Sequence, residues 1–236
     1  MTAARLSKEL RKYADSNKAK ILQKFFKTGP GEYAEEDIFI GAQVPLIRKI
    51  AARYYRGLAL EQILKLIKSP VHEERLLSLA ILVLKYREAG ERERKNIYHA
   101  YLANTKYINN WDLVDLSAEH IAGGYLAGKN KTPLYKLAES GSLWERRIAI
   151  IATFHFIKNK NARETFKICR MLLADKEDLI HKAAGWMLRE AGKRVSTAAE
   201  ERFLKKYYKT MPRTMLRYAI ERFPEKKRQN YLKGKI

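Results

Sequence analysis

The chain is short of cysteine, of acidic residues and of long apolar runs, and each shortage removes a class of function. Cys169 is the only cysteine among 236 residues, which excludes an internal disulfide and a cysteine-based zinc site. Its apolar neighbours Ile168, Met171 and Leu172 mark it as a buried structural thiol. No apolar run approaches the roughly 20 residues that a spanning helix needs. The first ten residues carry no secretory apolar core, so a cytoplasmic protein is expected, nucleoid-associated in a prokaryote and without a membrane partner. The histidines His72, His99, His120, His155 and His181 show no paired ligand spacing, and no metal is expected. Gly-x-Ser-x-Gly elbows, Walker loops and dinucleotide fingerprints are absent, and no cofactor is expected.

What the chain has in excess is positive charge. Lys and Arg number 48 against 26 Asp and Glu, a formal net charge of +22. A field of that size exceeds the needs of solubility. It steers anionic partners, with nucleic acid ahead of an anionic membrane surface. A hydrophobic fraction of 46% makes this an ordered protein with a core of its own. The bases crowd towards the end: from Arg202 to Lys235 there are twelve, Arg213 and Arg217 among them, against Glu221 and Glu225 alone. Converging on one face, such a run is a phosphate-binding footprint; spread around its helices, it is a solvated coat.

The apolar pattern is helical throughout, as in Leu76-Leu77-Ala80-Ile81-Leu84 and Ile180-Ala183-Ala184-Met187-Leu188, and two-residue hairpin signals are absent. Short breaks such as Gly29-Pro30-Gly31, Ala89-Gly90 and Ser140-Gly141-Ser142 separate the helices. Ser69-Pro70 and Ser142 resemble helix starts, with Glu73 and Glu145 following in capping-box style. Gly123-Gly124 lies inside an apolar helix and reads as close packing or a bend, not a phosphate cradle. The segments beginning at His72, Leu143 and Ile180 echo one another, the last two about 37 residues apart, close to the period of HEAT-type helix pairs. The expected fold is all-α, a HEAT-like helical-repeat solenoid over residues 1–236 as one domain, with a basic concave face able to cradle a duplex.

One segment stands out in this basic background: Asn109-Asn110-Trp111-Asp112-Leu113-Val114-Asp115. Two asparagines suit an N-cap, so Trp111 begins a helix, and Trp111 and Asp115 share a face one turn apart. Asp112 reads as a first-turn acid favoured by the helix dipole. Asp115 lies beyond the strongest capping positions; it is either a chemical group or one half of a salt bridge to an arginine such as Arg147. Trp144 is followed by Arg146 and Arg147, and Trp186 is flanked by Lys182 and Arg189. These indoles read either as core packing or as aromatics set among bases, the combination that grips nucleic-acid backbone and bases together.

Taken together, these residues resemble a known family. Trp111-Asp112-Leu113-Val114-Asp115 is similar to the Trp-Asp-x-Val-Asp motif of the AlkD-like DNA alkylation repair proteins, which are HEAT-like-repeat DNA glycosylases. Trp144-Glu145-Arg146-Arg147 resembles that family's Trp-x-x-Arg segment, and Lys182-Ala183-Ala184-Gly185-Trp186-Met187-Leu188-Arg189-Glu190 its Gly-Trp-x-Leu-Arg-Glu helix. Upstream, Phe39 to Pro45 with Arg48 resembles the turn that joins its first helices. The resemblance implies that Asp115 is the catalytic carboxylate, Trp111 and Trp186 the aromatic walls beside the lesion, and Arg147 a backbone-contacting catalytic partner. It implies a phosphate contact for Arg189; Lys182 and Arg146 beside the indoles, and Arg213 and Arg217 in the basic run, are further expected DNA-binding bases. The family's early-helix tyrosine falls here on Phe25 or Phe26, with Phe25 as the expected DNA contact.

The activity so implied is excision of positively charged alkylated purines, of the 3-methyladenine and 7-methylguanine type, from duplex DNA in base excision repair. The expected partner is double-stranded DNA carrying alkylated bases, bound by a monomer with no obligate protein partner. The runner-up is a non-catalytic HEAT-like protein that binds damaged or branched DNA. A protein–protein scaffold would fit the helices but leaves the charge and the Trp/Asp/Arg set unexplained.

Overall fold

A computed structural model describes residues 1–236, and its elements are helices apart from one isolated parallel bridge, Ile38 to Val71. The chain divides into two compact units, Met1–Ile121 and Ala122–Ile236. The first holds α1 (Ala3–Arg11), α2 (Ser16–Phe25), α3 (Val44–Tyr54), α4 (Leu60–Ile67), α5 (His72–Glu88), α6 (Glu91–Leu102) and α7 (Trp111–Ser117). A π-helical turn, Glu119–Gly123, spans the division, and α8 (Gly124–Leu126) follows it. The second continues with α9 (Thr132–Ala138), α10 (Leu143–Lys158), α11 (Arg163–Met171), α12 (Asp178–Arg194), α13 (Thr197–Tyr207), α14 (Arg213–Ala219) and α15 (Glu225–Leu232). No helix is long and apolar enough to cross a membrane.

In the first unit α5 is the central rod, packed by α3, α4, α6 and α7. It is buried on all sides from Leu76 to Val83, which is why its apolar residues form no single stripe. Its first turn is the unusual part. His72, Glu73, Glu74 and Arg75 are all at least nine-tenths buried, and each finds partners outside α5. Glu73 accepts from the backbone N–H groups of Ile40 (3.1 Å) and Gly41 (2.7 Å). Glu74 accepts from Ser69 Oγ at 2.7 Å and pairs with Arg11 of α1 at 3.0 Å. Arg75 donates to the Ser69 carbonyl at 3.0 Å. Two acids at the positive end of a helix dipole are favourably placed.

The helix starts at His72 with Val71 as its N-cap, two residues later than Ser69-Pro70 suggests. The reason is tertiary. Ser69 Oγ serves Val71 N and Glu74, and Glu73 is drawn away to the 40–41 backbone instead of closing a capping box. The other start, Ser142, does cap α10, accepting from Glu145 N.

In the second unit, α10, α12 and α14 pack side by side in one layer, and α9, α11 and α13 form the layer against them. The close approaches are made where side chains are missing. A Cβ on Gly185 would lie 2.4 Å from the Met215 carbonyl oxygen, so this glycine is what lets α12 seat on α14. One on Gly123 would lie 2.3 Å from the Ala152 carbonyl oxygen; the Gly123-Gly124 step is a close-packed π turn. Cys169 is fully buried, and burial pushes its thiol pKa far up, so it is an inert part of this core.

Candidate active site

Asn110 caps α7 as its sequence suggests: its Oδ1 accepts from Trp111 N at 2.8 Å, and Asn110 itself is fully buried. Trp111 is therefore the first residue of α7, with Asp115 one turn on. Both are half-buried, and both line a depression of about 250 Å³ together with Asp112, Arg48 and Ile47. Arg48 is exposed, with no carboxylate partner. Below this floor, Tyr101 is fully buried; burial, reinforced by the charge of Asp115, holds its phenol protonated, while it shares a 3.1 Å hydrogen bond with Ser117 Oγ.

The depression does not stand alone. It shares Val44, Leu76 and Asp112 with an apolar cavity of about 360 Å³, walled by Ile21, Leu22, Phe26 and Phe39. On the other side it shares Arg48, Ala80 and Leu116 with a second hollow of about 360 Å³ that reaches Arg87 and His120. The three merge into one furrow along α3, α5 and α7, with Lys18, Arg48 and Arg87 as its cations.

Aromatic rings fix the tryptophan. Phe26 stacks on Trp111 at 5.2 Å and 18°, Phe39 stacks on Phe26 at 5.1 Å, and His72 stacks on Phe39 at 4.4 Å. Both residues at the early-helix position thus meet Trp111, in different ways. Phe26 is 7% exposed and stacks, whereas Phe25 is 62% exposed and touches it edge-on at 6.0 Å.

His72 ends this stack and ties the site to the core. Its Nδ1 lies 3.1 Å from Asp37 Oδ2 and its Nε2 2.9 Å from Asp112 Oδ2. Asp37 also pairs with Arg75 at 2.6 Å and accepts from Asn109 Nδ2 at 3.1 Å. Burial opposes a charge on His72, but the carboxylates of Asp112 and Asp37 outweigh it and raise its pKa. Burial likewise opposes the Asp37 charge, and His72 and Arg75 outweigh it, holding that carboxyl below its usual value. With both ring nitrogens facing carboxylate oxygens, the imidazolium donates twice, and Asn109 and Asp112 on either side of the α7 start are held to one core network. Asp112 is a first-turn acid, as its position suggests, since its Oδ1 accepts from Leu113 N at 2.9 Å. It is also the histidine's partner, and only the fold reveals that.

The second unit carries the remaining candidates. Trp186 on α12 is half-buried, 5.8 Å from the Phe154 ring. Arg147 on α10 is 5% exposed and donates from Nη1 to the Leu179 carbonyl at 2.5 Å. Arg146 has its donors committed within the protein, to Asp175 (2.6 Å) and to the carbonyls of Ser140 and Gly141 (3.0 Å each), so it braces the turn before α10. Arg189 pairs with Glu221, and Lys182 with Asp178 at 2.7 Å. Arg213 and Arg217 on α14 are exposed, the former donating to the Leu232 carbonyl at 2.7 Å.

A family model described as DNA alkylation repair enzyme matches residues 6–223, nearly the whole chain. The chain belongs to that family. Among solved structures, a "Predicted DNA alkylation repair enzyme from Enterococcus faecalis" is similar with a TM-score of 0.68 and 16% identity, over 90% of this chain and 97% of that one. At that identity the likeness concerns the fold. Comparison with curated proteins finds no match. In the first unit the cations Arg48 and Arg87, the Trp111 indole and the carboxylates of Asp112 and Asp115 line the furrow.

Proposed function

We propose that this member of the family is a monofunctional DNA glycosylase that releases cationic alkylpurines, of the 3-methyladenine and 7-methylguanine type, from duplex DNA. What supports the reading most is that Asp115 and Trp111 line one depression with Arg48, while the other carboxylate of that depression, Asp112, is held by His72. Alkylation at N3 or N7 makes the base a cation, so the leaving group is already activated and needs no proton. The cost that remains is positive charge growing on the deoxyribose as the glycosidic bond breaks. Asp115 stabilises that charge and orients the attacking water. The Trp111 face, held by Phe26, favours cationic base and cationic sugar alike, by about 0.5–2 kcal/mol.

The bases hold the strand against an acid that would repel it. Arg48 and Arg87 serve this purpose along the furrow; on the second unit, taken by itself, Arg189, Lys182, Arg213 and Arg217 are the phosphate-contacting candidates, Trp186 the aromatic one and Arg147 the backbone-contacting one. Arg146 is left out of this set because its donors are already taken. Phe25, exposed at the rim beside Trp111, offers an apolar contact without a hydroxyl.

The experiment is release of methylated base from an alkylated duplex by the intact protein, compared with Asp115→Asn and Trp111→Ala. Release that collapses in Asp115→Asn while duplex affinity holds or rises supports the reading. Tight duplex binding with no release by the intact protein favours a non-catalytic binder of damaged or branched DNA. Salt-insensitive binding would remove both, because log K for phosphate contacts falls by about 0.9 per contact with log salt.

A further inference from the structure

A second basic and aromatic groove lies in the second unit, on the layer away from Arg147 and Trp186. It runs between α11 and α13, encloses about 320 Å³ and is lined by Arg163, Phe166, Lys167, Arg170, Phe203 and Tyr207, with no carboxylate among them. The three cations recur at one face of α11, all are exposed, and none forms an ion pair. Arg163 to Arg170 spans about 10 Å of helix at 1.5 Å per residue, enough to follow a strand past more than one phosphate. The rings form a continuous row: Phe166 stacks on Phe203 at 5.6 Å and 28°, and Phe203 meets Tyr207 at 4.8 Å. Lys167 Nζ lies 3.5 Å from the Tyr135 ring centroid, which extends the row to α9.

Unpaired cations beside two half-buried rings, Phe166 and Tyr207, seated on the buried Phe203, are poorly explained by stability. Surface charge of one sign on one helix face is repulsive, and ring surface left in water forgoes burial. The same pair of features is what a single strand of nucleic acid uses: cations track the phosphates, and each unpaired base stacks on a ring. A duplex offers no free base faces to those rings, and an acidic partner protein would leave their stacking surface without a matching group. We infer that the α11/α13 groove binds single-stranded nucleic acid, as a site separate from the furrow of the first unit. It is independent of the proposed glycosylase chemistry.

The test is anisotropy of a labelled twelve-nucleotide oligo(dT), and of the matching oligo(U), titrated with full-length protein in the presence of saturating unlabelled duplex. Arg163→Gln/Arg170→Gln, which removes two exposed and unpaired charges, is expected to weaken oligonucleotide binding and lower its log–log salt slope by about 1.4, at roughly 0.7 per single-strand contact. Tyr207→Leu keeps apolar volume but removes the π face, and is expected to lose about 10-fold in affinity with the salt slope unchanged. Duplex binding and methylpurine release should stay at the level of the unsubstituted protein in both variants. Oligonucleotide affinity unchanged in both variants would overturn the inference. So would duplex affinity falling by the same factor, or loss confined to binding of a Glu/Tyr copolymer. The dT and U arms then distinguish DNA from RNA as the strand held.

Discussion

Substituting His72 by alanine tests how the site is held, and its size can be worked from the structure. The His72 side chain is 2% exposed, Asp37 3% and Asp112 17%, and the histidine bridges the two carboxylates at 3.1 and 2.9 Å. Asp37 keeps Arg75 at 2.6 Å and Asn109 when the imidazole is lost, so it is not orphaned. Two charge-assisted hydrogen bonds disappear, each contributing about 1.5–3 kcal/mol, with the more solvated Asp112 at the lower end. The sum, about 3–5 kcal/mol, matches the usual cost of breaking a buried pair. For a chain of this length that is a fall in Tm of roughly 6–20 °C.

The pH dependence of that loss carries the sharper test. His72 has its pKa raised in the folded state, so its stabilisation is complete below the ordinary histidine value of about 6.5 and fades as pH rises through the higher folded value. The gap between the unsubstituted protein and His72→Ala should therefore be widest near pH 6 and narrower at pH 9, as read by calorimetry. Asp37 works in the other direction: its lowered pKa gives stability above the ordinary carboxylate value that is lost as pH falls through the depressed one. A Tm loss under 2 °C at pH 6, or an equal loss at both pH values, would refute the bridging imidazolium.

Three further outcomes follow from the packing. Phe26→Ala removes a buried ring between Trp111 and Phe39 and should cost about 3–5 kcal/mol in urea unfolding, with Trp111 emission shifted to the red. Gly185→Ala would push a methyl to 2.4 Å from the Met215 carbonyl oxygen and 2.6 Å from Tyr218 Cβ, and should cost about 1–3 kcal/mol by the same measurement. Glu200 is 2% exposed and leaves Oε1 without a partner, and burial pushes its pKa up to about 8. A carboxyl raised in this way costs stability progressively as pH climbs from its ordinary value to the raised one, by about 1.4 kcal/mol per unit. Glu200→Gln should therefore stabilise the protein by an amount that grows between pH 5 and 8 in denaturant titrations, and a pH-independent effect would contradict the assignment.

The features legible in the sequence are those decided locally. Asn110 caps α7, Ser142 caps α10, and Gly123 marks a close approach, because caps and missing side chains act over a few residues, whereas the approach at Gly185 shows only in the fold. The bond between His72 and Asp112 crosses 40 residues, and that between Asn109 and Asp37 crosses 72, so no spacing rule announces them. A signal was present nonetheless: four titratable residues, His72-Glu73-Glu74-Arg75, open a helix whose next eight residues are apolar except for Ser78. Each needs a partner away from water, and two of the resulting bonds, His72 to Asp112 and Asn109 to Asp37, hold the segment around Trp111. The different surroundings of Phe25 and Phe26 are likewise tertiary: Phe39 stacks on Phe26, and Phe25 stays exposed. Arg146 and Arg147 looked alike as neighbours of Trp144, yet the fold gives one to Asp175 and the other to the Leu179 carbonyl.

The most direct test of the central claim is single-turnover release of 7-methylguanine from an alkylated duplex by Asp115→Asn beside the unsubstituted protein, with duplex affinity measured on the same preparations. The account predicts release slowed by about 10²–10³-fold, the usual cost of removing one preorganised electrostatic group, with affinity unchanged or higher once a repelling charge is gone. Release by Asp115→Asn at the rate of the unsubstituted protein would contradict it.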